Sequence, residues 1–213
     1  MTKETGSAST VKRTIKLSAQ PTVLLNQFKL EEILGEGGMG TVYRARDLHM
    51  QDEPLIAIKL LNDDLRNDAA AVTGLERECR RVRMFAHDAI VRVFAFYRSA
   101  EQVFITMELL QGEPIDVVMK RYPNGMPYTH AWPIIKAAGE ALSYVHHQNP
   151  PYVHYDFKPK KVLLTEDGRT KVLDFGVARA VRPQEAVGTS TRLHETAMPG
   201  YLTPNYASCE MLT

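Results

Sequence analysis

The sequence is poor in cysteine. It has two in 213 residues, Cys79 and Cys209, far apart and without metal-ligand spacing. That argues against a disulfide framework and makes a reducing, cytoplasmic setting the expectation. Long apolar runs are also missing. No stretch approaches the roughly 18 residues that span a membrane, so no membrane segment is expected here. Nor is there an excess of charge of one sign. Lys and Arg number 26 against 25 Asp and Glu, a net charge of +1. There is thus no broad basic field for nucleic acid and no acidic one for cations. The opening stretch, Met1 to Gln20, is rich in Thr, Ser and Lys but lacks the apolar core of a signal peptide. It reads as a flexible, solvated tail, taken to span residues 1–24. What remains is 44% hydrophobic and 24% charged, enough for a domain with its own core.

The periodicity divides the rest in two. Phe28 to Leu34 partly alternates, breaks at a glycine cluster, and alternates again in Thr41 to Arg46, which predicts strand, turn, strand. Leu55-Ile-Ala-Ile-Lys-Leu-Leu61 is a short apolar run with one lysine inside, a buried strand. Asp68 to Phe85 has helical spacing with a charged face. Ile90 to Tyr97 and Gln102 to Leu109 are β-branched and aromatic, hence two more strands. After these five strands and one helix the pattern changes. Thr129 to His147 predicts a long helix with Trp132, Ile135, Ala138, Leu142 and Val145 on one side. Two short apolar runs follow, Val162 to Leu164 and Lys171 to Leu173, split by the turn Glu166-Asp167-Gly168. Arg182 to Pro199 is polar and aperiodic, a long loop of the kind that is often functional. The expected class is α+β, a strand-rich lobe and a helix-rich lobe with a cleft between them.

Five motifs carry chemistry. Gly35-Glu36-Gly37-Gly38-Met39-Gly40-Thr41-Val42 can bring backbone N–H groups close to phosphate oxygens, since glycine has no Cβ to clash. It can also be a plain hairpin turn. A dinucleotide fingerprint would need a helix after it, and a strand follows. Lys59 lies inside an apolar strand and needs a partner or ligand, unless it reaches solvent from an edge strand. Glu78, on the predicted helix, can be that partner; Glu76 lies nearby, and most helix glutamates are simply solvated. His154-Tyr155-Asp156-Phe157-Lys158-Pro159-Lys160-Lys161 places a carboxylate before a buried strand with a lysine two residues on. Asp156 can accept a proton while Lys158 neutralises phosphate charge; a nucleic-acid contact is the rival, without aromatic interleaving to support it. Asp174-Phe175-Gly176 follows a short apolar strand, where the aspartate is either a hard oxygen ligand for Mg²⁺ or part of a turn. His146 and His147 are adjacent on a helix and point in different directions, so they make poor co-ligands.

The order of these motifs resembles the protein-kinase signature set, and the resemblance runs from Phe28 to the end of the chain. LGEGGMGTVYRARD and TPNYAS are most similar to the bacterial branch of the Hanks-type serine/threonine kinases. The resemblance implies a two-lobed fold. Residues 25–110 would form an N-lobe with hinge, a five-stranded antiparallel sheet plus one helix. Residues 111–213 would form a partial, mainly helical C-lobe. It implies ATP and Mg²⁺ (or Mn²⁺) as cofactors, a protein substrate with Ser or Thr, and autophosphorylation. Gly35, Gly37 and Gly40 would cover the ATP phosphates, with Val42 and Ala57 on the adenine, and Leu34, Glu36, Gly38 and Met39 would also belong to the ATP site. Lys59 would contact the α- and β-phosphates, held by Glu78. Met107 resembles the gatekeeper, Glu108 and Leu110 would offer backbone hydrogen bonds to adenine, and Leu163 would close the pocket from below. Asp156 would take the proton of the substrate hydroxyl, Lys158 is the lysine of serine/threonine kinases, and Asp174 would bind the metal. Val82, Val93, His154 and Phe175 would stack as an apolar column between the lobes.

The chain departs from that family at three places. Tyr155 stands where an arginine normally receives a phosphorylated activation segment, so Thr189, Ser190, Thr191 and Thr196 lose their main receptor. Lys161 stands where a metal-binding asparagine is usual. Its ammonium either substitutes for the missing metal charge or pairs with Asp156 or Asp174 and disables them. Thr203-Pro-Asn-Tyr-Ala-Ser-Cys-Glu210 resembles the segment that closes the activation loop, with Cys209 in place of proline. Thr203 would help position Asp156. The family continues for several more helices, so the C-lobe is expected to be incomplete and to expose apolar surface. Two functions follow: a working kinase with an altered metal site, or a nucleotide-binding pseudokinase that signals by shape. A small-molecule kinase of the same fold is the third, and TPNYAS, which resembles a peptide-reading loop, argues against it.

Overall fold

The computed structural model describes residues 22–175. Gly176, Thr189, Ser190, Thr191, Thr196, Thr203, Cys209 and Glu210 lie outside the described residues.

The first sheet is antiparallel. Its long strands are β2 (Phe28–Gly37), β3 (Gly40–Asp47), β4 (Leu55–Leu61), β5 (Val93–Arg98) and β6 (Val103–Glu108). A sixth, two-residue strand, β1 (Val23–Leu24), pairs with β2 at the edge, giving the order β1-β2-β3-β4-β6-β5. That corrects the tail boundary. Leu24 is fully buried with Phe28, Tyr43, Ile58 and Phe104, so the ordered lobe begins before residue 25.

The apolar run of β4 follows from its place at the centre of the sheet. Side chains alternate across a strand. Ile56 and Ile58 face the cluster containing Phe28 and Phe104, while Leu61 faces the opposite cluster beneath a helix. Both faces are covered, so alternation of polar and apolar residues is lost. The turn between β2 and β3 requires a glycine at Gly40, whose φ is +142°; a Cβ there would sit 2.0 Å from the Leu60 carbonyl oxygen.

The expected helix forms as one element, and a second, short helix stands just before it. A short α1 (Asp63–Asn67) precedes α2 (Ala69–Val82). Asp68 separates them and caps α2, its carboxylate accepting from the N–H groups of Ala70 (2.9 Å) and Ala71 (3.0 Å). Val72, Leu75, Cys79 and Val82 recur every three or four residues and form the buried stripe of α2.

The second part begins with β7 (Gly112–Pro114) and α3 (Ile115–Val118), which the sequence pattern did not reveal. It continues with α4 (Tyr128–His146), β8 (Val162–Thr165) and β9 (Thr170–Val172). The last two are the short apolar runs, and with β7 they form a small antiparallel sheet. The expected face of α4 is corrected. The helix buries Ile134, Ala138, Ala141 and Val145, while Trp132 and Ile135 are 48% and 61% exposed. Reading by bulk favoured the large residues, but close packing against β9 selects the small Ala138 and Ala141. Trp132 instead stacks on Tyr128 at the surface.

One cluster joins the two parts. Val82 of α2 meets Ile90, Ala141, Val145, Tyr152, Val172 and Phe175, with Val93 packed against them. Phe85 sets its ring edge-on to Tyr152 and Phe175. The position of α2 is therefore fixed from below as well as by its cap. Replacing Asp68 with Ala is expected to cost about 1 kcal/mol of stability through loss of the cap. Urea unfolding of the two proteins measures it; an unchanged midpoint would show that tertiary packing alone holds the helix.

Candidate active site

The hairpin joining β2 and β3 overhangs the cleft. Where a Cβ would extend from Gly35, Gly37 or Gly38 there is no atom within 4 Å, so the backbone borders open space. Its tip is tied back by Asn62, whose side-chain amide donates to the Gly38 carbonyl (2.6 Å) and whose N–H donates to that of Met39 (3.2 Å). Leu34, Glu36 and Met39 lie on the same hairpin; Leu34 is exposed and Met39 packs against the cluster beneath α2.

Beneath the hairpin, Lys59 of β4 pairs in register with Val42 on one side and Ile105 on the other. Its side chain is 7% exposed. The ammonium meets Asp174 Oδ1 at 2.8 Å, and Lys161 Nζ donates to Oδ2 of the same carboxylate. Asp174 has φ +60°, a left-handed conformation that aspartate tolerates better than most residues. Burial alone would raise its carboxyl pKa. The adjacent charges of Lys59 and Lys161, with their hydrogen bonds, more than offset this and hold it well below the ordinary carboxylate range. Burial likewise works against charge on Lys161, yet Asp174 and then Asp156 keep its pKa above the usual lysine value.

The expected pairing of Lys59 with Glu78 is not formed. Glu78 is 2% exposed on α2, and its Oε2 has no hydrogen-bond partner; the nearest guanidinium, that of Arg77, stands 4.0 Å from the other oxygen. The Tyr152 hydroxyl is likewise buried without a partner, and its pKa is pushed up by burial and then by the Glu78 carboxylate. The Arg81 guanidinium lies 4.8 Å from the centre of the Tyr152 ring. Lys59 has taken Asp174 instead, 115 residues away in sequence. Spacing along the chain gave no signal for that exchange. Cys79, next to Glu78, is a buried thiol pushed up to about 12 by burial, so it is not a nucleophile.

Asp156 and Lys158 pair at 2.9 Å, each side chain 16% exposed. His154 braces them. Its Nε2–H donates to the Leu173 carbonyl (2.9 Å) and its Nδ1 accepts the Asp156 N–H (3.3 Å), which fixes a neutral tautomer. The ring also lies 4.7 Å from Phe175. Tyr155, between them, has φ +64°. At the far end Glu108 uses its carboxylate rather than only its backbone, accepting from Lys171 Nζ (2.8 Å) and the Arg92 N–H (2.8 Å). This joins the end of β6 to β9; neither role had a sequence signal. Ala57 and Met107 are register partners on adjacent strands, and Met107, Val93 and Ile105 line a pocket with Lys59 and Asp174. Val42 lies on β3, Leu110 just after β6, and Leu163 on β8.

A family model for the protein kinase domain matches residues 28–213. The chain belongs to the protein kinase family. It is 32% identical over 194 residues to serine/threonine-protein kinase pkn2 of Myxococcus xanthus, covering 90% of this chain and 23% of that protein. It is 31% identical over 163 residues to PknA of Mycobacterium tuberculosis, covering 74% of this chain and 37% of that protein. The crystal structure of the Mycobacterium tuberculosis PknI kinase domain aligns with a TM-score of 0.65 and 26% identity, covering 76% of this chain and 64% of that one. These are bacterial Hanks-type relatives, and the chain spans well under half the length of the two curated ones.

ATP and Mg²⁺ are the usual cofactors of this kinase family. The residues fit the nucleotide: an open glycine hairpin, a buried lysine beneath it, and an apolar wall. They do not fit the metal. Both oxygens of Asp174 carry ammoniums, and an ammonium has no lone pair with which to replace the asparagine. Among the described residues no group of three or more His, Cys, Asp or Glu gathers to hold an ion.

His154 generates a pH prediction. Burial lowers its pKa below the usual histidine value, opposed by the Leu173 carbonyl and the charges of Asp174 and Asp156. The unfolded chain takes up this proton near pH 6.5, whereas the folded one resists it to lower pH. Stability is therefore lost as pH falls below about 6.5, by at most roughly 1.4 kcal/mol per unit from this group. Urea unfolding at pH 7.5 and 5.5, with His154→Gln alongside, tests it; equal pH dependence in both proteins would refute the assignment.

Proposed function

We propose that this kinase domain transfers the γ-phosphoryl group of ATP to a serine or threonine hydroxyl of a protein. The observation that carries the reading is the convergence of Lys59, the Asp156–Lys158 pair and Asp174 under one glycine hairpin. Phosphoryl transfer asks a protein mainly for positioning and for neutralised charge. ATP supplies the transferable phosphoryl group. Lys59 is placed on the central strand to meet phosphate charge. Asp156, held by His154 through its own N–H, is placed to orient a hydroxyl and take its proton. Lys158 is beside it to offset the charge that gathers on the transferred group. Autophosphorylation is part of this proposal.

A second reading has its own support. Lys161 and Lys59 together occupy the carboxylate of Asp174. With Glu78 apart from Lys59, this arrangement favours a nucleotide-binding domain that does not transfer phosphate and acts through a partner.

Labelling with [γ-³²P]ATP, of the chain and of a generic basic protein, with Mg²⁺ or Mn²⁺, separates the two. Transfer is expected in the parent and absent in Asp156→Ala; no label in either favours the second reading. Lys161→Asn, which restores a metal ligand, is expected to raise the rate about tenfold or more. An unchanged rate would show that this position does not limit catalysis. Because Tyr155 removes the usual receptor, the combined Thr189, Ser190, Thr191 and Thr196 to Ala variant is expected to keep most of the activity.

A further inference from the structure

We propose that the cleft holds the polyphosphate of a nucleoside triphosphate with Lys59 and Lys161 in the role of the divalent cation, so that binding needs no metal ion. The inference rests on the nucleotide-site reading above and concerns how that site handles charge, whether or not transfer follows.

Three observations lead there. The first is occupancy of the donor atoms. Lys59 holds one oxygen of Asp174 and Lys161 the other, while Asp156 Oδ1 is engaged by Lys158 at 2.9 Å. A hard cation seeks several oxygens at once and displaces its own water reluctantly. To accept one here, Asp174 must first release two charged hydrogen-bond donors. The second is the charge balance. At Asp174 two ammoniums meet one carboxylate, and Asp156, which also acts on Lys161, is itself paired with Lys158. A divalent cation approaching this cluster is repelled; a polyphosphate is drawn in. With a neutral residue at position 161, Lys59 and Asp174 would cancel, and the phosphates would need a cation of their own. The excess charge is the contribution of Lys161.

The third is that Lys161 is built into the site. Its N–H donates to the Lys158 carbonyl (2.8 Å) and its carbonyl accepts from the Leu173 N–H (2.8 Å). The backbone at 161 is thus clamped between Lys158 and Leu173, the residue just before Asp174. Its side chain is 21% exposed, too enclosed for a solvated surface lysine. Across the cleft, the backbone at Gly35, Gly37 and Gly38 borders space open enough for phosphate oxygens. Arriving phosphates give each ammonium additional acceptors while Asp174 keeps them in place, so the cluster need not be dismantled.

The test is calorimetric titration of the full chain with ATP, once in EDTA and once in excess Mg²⁺. Affinity in EDTA is expected to equal or exceed that in Mg²⁺, because the cation neutralises phosphates in solution that the lysines would otherwise meet. In Lys161→Asn the affinity in EDTA is expected to fall about tenfold or more, the scale of a lost charge-assisted contact, and to recover with Mg²⁺. A ligand-free melting curve checks that this variant is folded, and the parent's two titrations decide the question without it. A parent that binds ATP only with Mg²⁺, or about tenfold more tightly with it, overturns the proposal and leaves the nucleotide site standing. No ATP binding by the parent in either buffer overturns the nucleotide-site reading, and this inference with it.

Discussion

A carboxylate withdrawn from water stays charged only if something nearby answers it. Asp174 is answered twice, by Lys59 and by Lys161, and the rest of the site follows from that. Lys59 has one ammonium, and by turning to Asp174 it leaves Glu78 without a lysine partner. Glu78 then lies buried against Tyr152, with its Oε2 and the tyrosine hydroxyl both unsatisfied. The metal donors are spent for the same reason. Removing either lysine would leave the other to compensate the carboxylate alone, whereas removing Asp174 would set the buried Lys59 ammonium against the half-buried one of Lys161. Breaking such enclosed arrangements typically costs about 3–5 kcal/mol, far more than a surface pair.

The fold around this centre was largely legible in the sequence because its signals are local. Alternation marks β2 and β3, the lysine-bearing apolar run marks a strand covered on both faces, and helical spacing marks α2 and α4. Val82, Val93, His154 and Phe175 do meet between the two parts, as the resemblance implies. The errors also have physical causes. Val23 and Leu24 are too short a run to announce a strand, and pairing with Phe28 and Lys29 decides it. Trp132 and Ile135 looked like core because they are large. Packing density, however, favours small residues where a helix crosses close to a strand, and Ala138 and Ala141 fill those places.

The site was legible as a set of residues and less so as a set of bonds. Lys59, Asp156, Lys158 and Asp174 occupy one cleft, but which ammonium meets which carboxylate is a contest among groups up to 115 residues apart. Sequence spacing carries no information on that contest. Lys161 had Asp156 and Asp174 within its sequence neighbourhood, and Asp174 is the carboxylate it meets. The bond from Asn62 to the glycine hairpin and the Glu108–Lys171 bridge gave no pattern at all, since each is a polar side chain meeting a distant element.

The placement of Lys59 has a mechanical consequence. β4 is hydrogen-bonded on both edges, to β3 and β6, and packed on both faces. The backbone at Lys59 can leave only when the whole sheet opens. Amides of this strand therefore belong with the slowest-exchanging in the described lobe. Asp174 hangs from the end of a three-residue strand and Lys161 from a single turn. Lys59 is the fixed post of the cluster, and Lys161 and Asp174, joined through the bond from the Leu173 N–H to the Lys161 carbonyl, form its other side as one unit.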